Sequence, residues 1–326
     1  MTSARLPHMR RGDNWRMRLL LRAGLALLLA AGLVASAIYF VFPGFAVSIA
    51  LDGEHARSGL VKRQLDLADG SRMVYLEGGR GEPLVLLHGF GADKDNFTRV
   101  AHYLTPHYHV IAPDLIGFGE SSHPADADYS PTAQVERVRS FCRALHVPWV
   151  HVGGSSMGGQ IALSWAAAYP KEVASLWLLD TAGIWATAPH SEVARTVLAG
   201  GANPLLVSSV ADFDALVALT MSKPPAIPQF ARKVMAAERR DNRALEEKIF
   251  AQISADSVEA RIRGLKTSAL VVFGEHDRVI DPGTANVLKA LLPHAHVVIM
   301  PGVGHLPALE EPEHAASDYI RFRDSL

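Results

Sequence analysis

The chain has 326 residues, 49% of them hydrophobic and 20% charged, with 32 Lys and Arg against 33 Asp and Glu. That balance excludes a basic nucleic-acid binder and a disordered polyelectrolyte, and a single cysteine, Cys142, excludes a disulfide scaffold. No phosphate-binding loop and no His/Cys/acid cluster with metal-ligand spacing occurs, so neither cofactor nor metal is expected.

The charge is unevenly placed. Residues 1–22 carry Arg5, Arg10, Arg11, Arg16, Arg18 and Arg22 against Asp13, a net +5 that leaves the remainder near −6. Ala23 to Phe42 follows, twenty residues without a charge. As a helix this run is about 30 Å long, the thickness of a hydrocarbon core. It predicts a basic cytoplasmic arm over 1–22, a single transmembrane anchor over 23–42 and an exported remainder. Ala35-Ser36-Ala37 also has the spacing of a signal-peptide cleavage site, but the apolar run continues through Ile38 to Phe42, which suits a retained anchor better. The small-residue pairs Gly32/Ser36 and Ala26/Ala30 leave helix pairing into a homodimer open. Residues 43–59 read as a juxtamembrane connection of at most about 60 Å, which would keep the folded part near the bilayer.

The segments Leu60–Leu67 and Arg72–Glu77 alternate about Asp69-Gly70 and predict an opening hairpin. Apolar runs recur at Leu84–Leu87, Val110–Pro113, Trp149–Val152, Leu176–Leu179, Leu270–Phe273 and Val297–Met300, with helical patterns such as Ala133–Leu145 between them. Strands buried on both faces and alternating with helices predict an α/β domain over 60–326 with a mostly parallel, doubly wound sheet. The alternation breaks over about 184–267. There, helical patterns at Glu192–Leu198, Phe213–Met221 and Phe230–Ile253 are punctuated by Gly200-Gly201 and Pro224-Pro225, which predicts a helical cap inserted between two core strands.

The run Val147–Val152 enters Gly153-Gly154-Ser155-Ser156-Met157-Gly158-Gly159 and leaves through the helical Gln160–Trp165. Strand, G-x-S-x-G and helix make a nucleophile elbow, with Gly154 and Gly158 framing Ser156. A serine hydroxyl is a weak nucleophile until a base removes its proton, so an acid and a histidine should follow in that order, each after a strand. Ser268–Gly274 ends in Glu275-His276-Asp277, and His296–Gly302 ends in Val303-Gly304-His305. Ser156, Asp277 and His305 are therefore the candidate nucleophile, acid and base. Upstream, Pro83–Leu87 runs into His88-Gly89-Phe90-Gly91, a turn placed to set the Phe90 N–H beside that of Met157 as an oxyanion hole.

Other residues compete for these roles. Asp180 ends the strand Ser175–Asp180 and is the rival acid, with Asp277 preferred for its strand–loop context. Asp114, in Asp-x-x-Gly-x-Gly-x-Ser, reads as a structural turn, and His88 as a buttress of the oxyanion turn. His276 and His314 read as surface or supporting residues, and Cys142 as a small buried one.

On His88–Phe97, Asp114–Ser121, Gly154–Gly158, Gly274–Asp277 and Gly304-His305, the sequence from about Leu60 onward resembles the α/β-hydrolase superfamily, within it membrane-anchored bacterial lipases, esterases and phospholipases. The resemblance implies a serine ester hydrolase that cleaves fatty-acyl esters through an acyl-enzyme, takes a lipid substrate and needs no cofactor. It also implies a bacterial inner-membrane location, single-pass, with the catalytic domain on the periplasmic side. Leu205, Leu206, Leu216, Leu219, Met221, Ile227, Phe230, Met235 and Phe250 become candidate acyl-chain contacts, although most apolar residues at helical spacing simply pack a cap. Ser155 departs from the family pattern, since many relatives carry Asn or His before the nucleophile. Carbon–carbon bond hydrolases and cofactor-free haloperoxidases share the fold and are the alternative. A tethered binding protein is a third reading, opposed by the presence of all three triad residues.

Overall fold

The computed structural model describes the backbone of residues 11–326 and the side chains of residues 15–30, 32 and 41–326. The chain divides into two compact units, Met1–Ile49 and Ala50–Leu326. In the first, α1 (Arg11–Val41) is one helix of 31 residues whose described leucines, Leu19 to Leu29, are exposed. The expected anchor lies within α1 except for Phe42, with residues 31 and 33–40 outside the described side chains, and the expected basic arm lies outside the described residues as far as residue 10. Among the described residues no helix is long and apolar enough to cross a membrane, so the anchor gains no support from the fold.

The expected juxtamembrane connection is a helix, α2 (Pro43–Arg57), rather than an open segment. Its 15 residues rise about 22 Å. Proline is well suited to a first turn, where its missing N–H would have no intrahelical partner. The far end is held by the domain. His55 is buried against the Asp95 carboxylate, His102 Nδ1 donates to Arg57 O at 3.0 Å, and Thr105 Oγ1 donates to Ser58 O at 3.0 Å.

Eight strands form one sheet: β1 (Leu60–Asp66), β2 (Arg72–Gly78), β3 (Glu82–Leu87), β4 (Tyr108–Pro113), β5 (Val150–Ser155), β6 (Val173–Leu179), β7 (Ala269–Gly274) and β8 (Ala295–Met300), in the order β1-β2-β4-β3-β5-β6-β7-β8. The expected hairpin pairs Leu60 with Gly78 and Asp66 with Arg72. Only the β1–β2 and β2–β4 pairings are antiparallel; β3 to β8 run parallel. Helices α3 (Thr98–Leu104), α4 (Pro131–Ala144), α5 (Met157–Ala168), α11 (Thr284–Leu291), α12 (Pro307–Glu310) and α13 (Pro312–Asp324) flank the sheet, and α6 (Glu192–Leu198), α7 (Val210–Thr220), α8 (Gln229–Asp241), α9 (Arg243–Ala255) and α10 (Glu259–Ile262) are inserted between β6 and β7.

The period of two in each strand divides the core. Val85, Leu87, Ile111, Val152, Leu178, Val271 and Phe273 face α4, α5 and α11. Their neighbours Leu84, Leu86, Val110, Trp177, Leu179, Leu270 and Val272 face α3 and α13. This two-sided burial is why the strands read as unbroken apolar runs.

The insertion between β6 and β7 holds five helices. The continuous pattern expected over Phe230–Ile253 is two of them, α8 and α9, broken at Asn242, whose φ of −91° and ψ of 0° lie at the edge of the helical region. Two small clusters stabilise this segment: Val207, Phe213 and Ala236 with Leu216 and Ile227 inside it, and Val193 and Leu219 with Leu205 packed on Val279 of the loop after β7.

Candidate active site

β5 ends at Ser155 and α5 begins at Met157, which isolates Ser156 between strand and helix. Its φ of 52° and ψ of −116° lie in a region costly for a side-chain-bearing residue, on the order of 1–3 kcal/mol. Backbone bonds hold it there. Ser156 N–H donates to Leu179 O at 2.9 Å, and Ser156 O accepts from Gly159, Gln160 and Ala182 N–H at 3.0, 3.2 and 3.1 Å. The flanking glycines are required by space. A Cβ on Gly154 would overlap Gly158 O, and one on Gly158 would overlap Leu87 O. Met157 opens α5, so its N–H is among the helix-start donors without an intrahelical acceptor, at the positive end of the helix dipole.

The turn after β3 passes beside the serine: a Cβ on Gly89 would lie 3.3 Å from Ser156 Cβ. His88 fixes this turn. Its Nε2 accepts the Leu115 N–H at 3.0 Å, which leaves Nδ1 protonated to donate to Gly89 O at 2.8 Å. Complete burial pulls the His88 pKa down to about 4, so it is a neutral strut rather than a proton carrier. Phe90 stands next to Gly89, and its ring meets Phe118 and Phe250 edge-on at 6.1 and 5.4 Å.

On the far side of the sheet centre, the loops after β7 and β8 bring acid and base together. His305 Nδ1 donates to Asp277 Oδ2 at 2.7 Å, and Asp277 Oδ1 accepts from Val279 and Ile280 N–H at 2.7 and 3.1 Å. With Nδ1 committed, Nε2 of the neutral imidazole is the ring's proton acceptor. Both side chains are buried. The loops are tied by backbone bonds, Glu275 N–H to Met300 O at 3.0 Å and His276 N–H to Val303 O at 2.8 Å, and His305 N–H donates to Thr220 O of the inserted segment at 2.7 Å.

Asp180 follows β6 and links the two halves. Leu179 O holds the Ser156 backbone, while single ligand atoms of Asp180, Asp277 and His305 lie within 4.8 Å of one another. The end of β6 therefore touches both the elbow and the acid–base pair. These three side chains are a group of the kind that could share an ion. Asp277 and His305 already bond each other, and Asp277 and Asp180 accept backbone N–H groups, which occupies lone pairs a metal would need.

A model of the alpha/beta hydrolase fold matches residues 82–312. The chain belongs to the α/β-hydrolase family. Lipase 3 of Moraxella sp. (strain TA144) is 46% identical over 279 residues, 84% of this chain and 88% of its own length. Lipase 1 of Psychrobacter immobilis is 45% identical over 279 residues, 84% of this chain and 87% of its own. A crystal structure of a membrane phospholipase A, described as a bacterial virulence factor, aligns with a TM-score of 0.85 at 37% identity, over 95% of this chain and 98% of that one. This α/β-hydrolase is accordingly an ester hydrolase resembling the bacterial lipases.

The remaining sequence candidates of the hydrolase fall outside this group. Asp114 is a buried structural acid that accepts Lys94 N–H at 2.7 Å, Glu120 N–H at 2.8 Å and Lys94 Nζ at 3.2 Å. His276 and His314 are exposed, and Cys142 is buried, its thiol pushed up to about 12 by desolvation. Of the apolar cap candidates, Leu216 and Ile227 pack within the insertion, Leu205 and Leu219 pack against the Val279-Ile280 segment that follows Asp277, Met235 is exposed, and Phe250 reaches the Phe90 ring.

Two side chains near the site carried no motif. Glu310 accepts Gly304 N–H at 2.9 Å through Oε1 and Ser222 and Lys223 N–H at 2.8 Å through Oε2, joining the His305 loop to the end of α7. Arg239 of α8 is held by Glu246 at 2.6 and 3.0 Å and places its guanidinium 5.8 Å from the Phe90 ring centroid. The position of Glu310, five residues after His305, was the one visible signal for its role.

Proposed function

We propose that this hydrolase is a membrane-anchored serine lipase or esterase that cleaves fatty-acyl esters through an acyl-enzyme. The observation that carries the reading is the committed tautomer of His305, with Nδ1 bonded to Asp277, beside Asp180 at the end of β6, the strand whose Leu179 O braces the strained Ser156.

His305 Nε2 takes the Ser156 proton as Oγ attacks the ester carbonyl, and the carbonyl π electrons move to oxygen. The Met157 and Phe90 N–H groups bind this oxyanion, each worth about 3–4 kcal/mol if removed. The intermediate collapses, the C–O bond breaks, and His305 returns the proton to the departing alcohol. Water, deprotonated by the same imidazole, then attacks the acyl carbonyl; the bond to Ser156 Oγ breaks, His305 returns the proton to Oγ, and the fatty acid leaves. Asp277 stays ionised throughout and stabilises the imidazolium.

The segment 184–267 serves as a cap over this centre, a role supported by the contacts of Phe250 and Arg239 with Phe90 and of Thr220 with His305. Lipid esters suit an apolar cap and a domain tethered near the bilayer. The uncharged run Ala23 to Phe42 behind an arginine-rich arm supports an inner-membrane anchor with the catalytic domain on the periplasmic side. The similarity to a membrane phospholipase A and to lipases supports acylglycerols or phospholipids as substrates.

Replacing Ser156 by Ala should abolish both p-nitrophenyl ester turnover and fluorophosphonate labelling; a labelled variant refutes the nucleophile. Washed membranes should hold the chain through alkaline carbonate and release it in detergent. Release by carbonate alone refutes the anchor. A panel of ester chain lengths run beside a ring-cleavage dienoate separates ester from carbon–carbon hydrolysis.

A further inference from the structure

The reaction sequence above has no use for Asp180, yet its carboxyl group is fully buried against the acid it does use. We infer that Asp180 is a positioning residue that, as a neutral acid, donates its proton to the Asp277 carboxylate and so holds that carboxylate on His305. The inference rests on the Ser156, His305 and Asp277 reading and assigns it a fourth member.

Donor supply decides which acid carries the proton. Asp277 receives three hydrogen bonds, from Val279 N–H, Ile280 N–H and His305 Nδ1. Asp180 receives one, from Gly274 N–H at 2.9 Å on Oδ1, and its buried Oδ2 has no donor among the described residues. Two carboxylates this close in a dry site cannot both ionise, and the better-solvated one keeps the charge. A proton on Asp180 Oδ2 turns an orphaned acceptor into a donor facing Asp277, which removes the anomaly.

The charged and titratable groups facing Asp180 are Asp277 after β7, His305 after β8 and Glu310 of α12. Burial foremost, then the Asp277 charge, raise the Asp180 pKa well above the carboxylate range. The backbone points the same way. Asp180 sits at a φ of 45°, a left-handed conformation that Asp adopts only at a cost, while its N–H donates to Val272 O at 2.9 Å.

Two substitutions keep that backbone available, since glycine and asparagine both tolerate positive φ. Only Asn can accept from Gly274 and also donate to Asp277. In the full-length, detergent-solubilised chain, Asp180→Gly should lower kcat roughly tenfold to a hundredfold with KM little changed, the loss of one hydrogen bond to a charged group. Its acid limb of kcat/KM should move to higher pH, because a less dispersed Asp277 charge favours the imidazolium. Asp180→Asn should restore most of the rate. Infrared difference spectra at neutral pH should show a buried protonated-carboxyl stretch in wild type that both variants lack.

Wild-type kcat in Asp180→Gly overturns the proposal, as does an Asn variant as impaired as Asp277→Asn or a wild-type-minus-variant spectrum with no carboxyl band. If Asp180→Gly does not fold, the Asn rate and the infrared band decide by themselves. Failure of the underlying reading looks different: the wild-type chain is then not labelled at Ser156 by fluorophosphonate at all.

Discussion

The replacement Asp277→Asn tests the acid–base assignment with the least disturbance to folding. Asp277 Oδ1 accepts two backbone N–H groups, from Val279 and Ile280 at 2.7 and 3.1 Å. An asparagine must keep its carbonyl oxygen there, because turning its NH2 toward those two donors would set donor against donor and leave both N–H groups unpaired. Its Nδ2 therefore faces His305 Nδ1. Two donors cannot share that contact, so the imidazole must move its proton to Nε2, where it can no longer accept from Ser156. The wrong tautomer costs about four orders of magnitude in kcat, or about 5.5 kcal/mol at about 1.4 kcal/mol per tenfold. Because the backbone donors stay satisfied, thermal stability should change by less than about 1 kcal/mol. The assay pairs p-nitrophenyl ester kinetics with the rate of fluorophosphonate labelling and a thermal melt. A variant within tenfold of wild-type kcat, with an unchanged melt, would falsify the tautomer argument and leave Asp277 a loop-capping residue.

Two further outcomes follow from residues beside the site. Glu310→Ala strands the N–H groups of Gly304, Ser222 and Lys223; with the latter two exposed to water, the loss should be about 2 kcal/mol, or roughly 4–8 °C in Tm, with kcat falling as the His305 loop loosens. An unchanged melt and rate would show that Gly304 is held without it. His88 sets a pH dependence. Its folded pKa of about 4 lies below the unfolded value of 6.5, so the unfolded chain binds the extra proton between them. Stability is then fully present above about pH 6.5 and falls as pH drops toward 4, by up to about 1.4 kcal/mol per unit from this group. Urea melts of wild type and His88→Gln at pH 7 and pH 5 should converge as pH falls; a constant gap refutes the assignment of a neutral His88.

Much of this hydrolase could be read along the chain because the responsible forces are local or repetitive. Strands buried on both faces need unbroken apolar runs, so β3 to β7 declared themselves, and the tight contacts around Gly154 and Gly158 leave glycine as the residue that fits. The order of Ser156, Asp277 and His305 after their strands placed each at the right edge of the sheet. Other features depend on partners far away in sequence. α2 is helical over a stretch that reads as a connection, with His55 buried on Asp95 at its far end. Likewise Asn242, unremarkable as a letter, divides α8 from α9.

The choice between Asp180 and Asp277 shows the limit most clearly. Each is an aspartate at the end of an apolar strand, and only the strand–loop context of Asp277 favours it in the sequence. Folding surrounds Asp277 with three donors and gives Asp180 one, and in a buried site the number of donors determines which carboxyl group can remain charged. Residue type and spacing thus determined where acids and bases would stand, whereas their protonation was decided only when tertiary packing removed solvent and distributed the N–H groups between them.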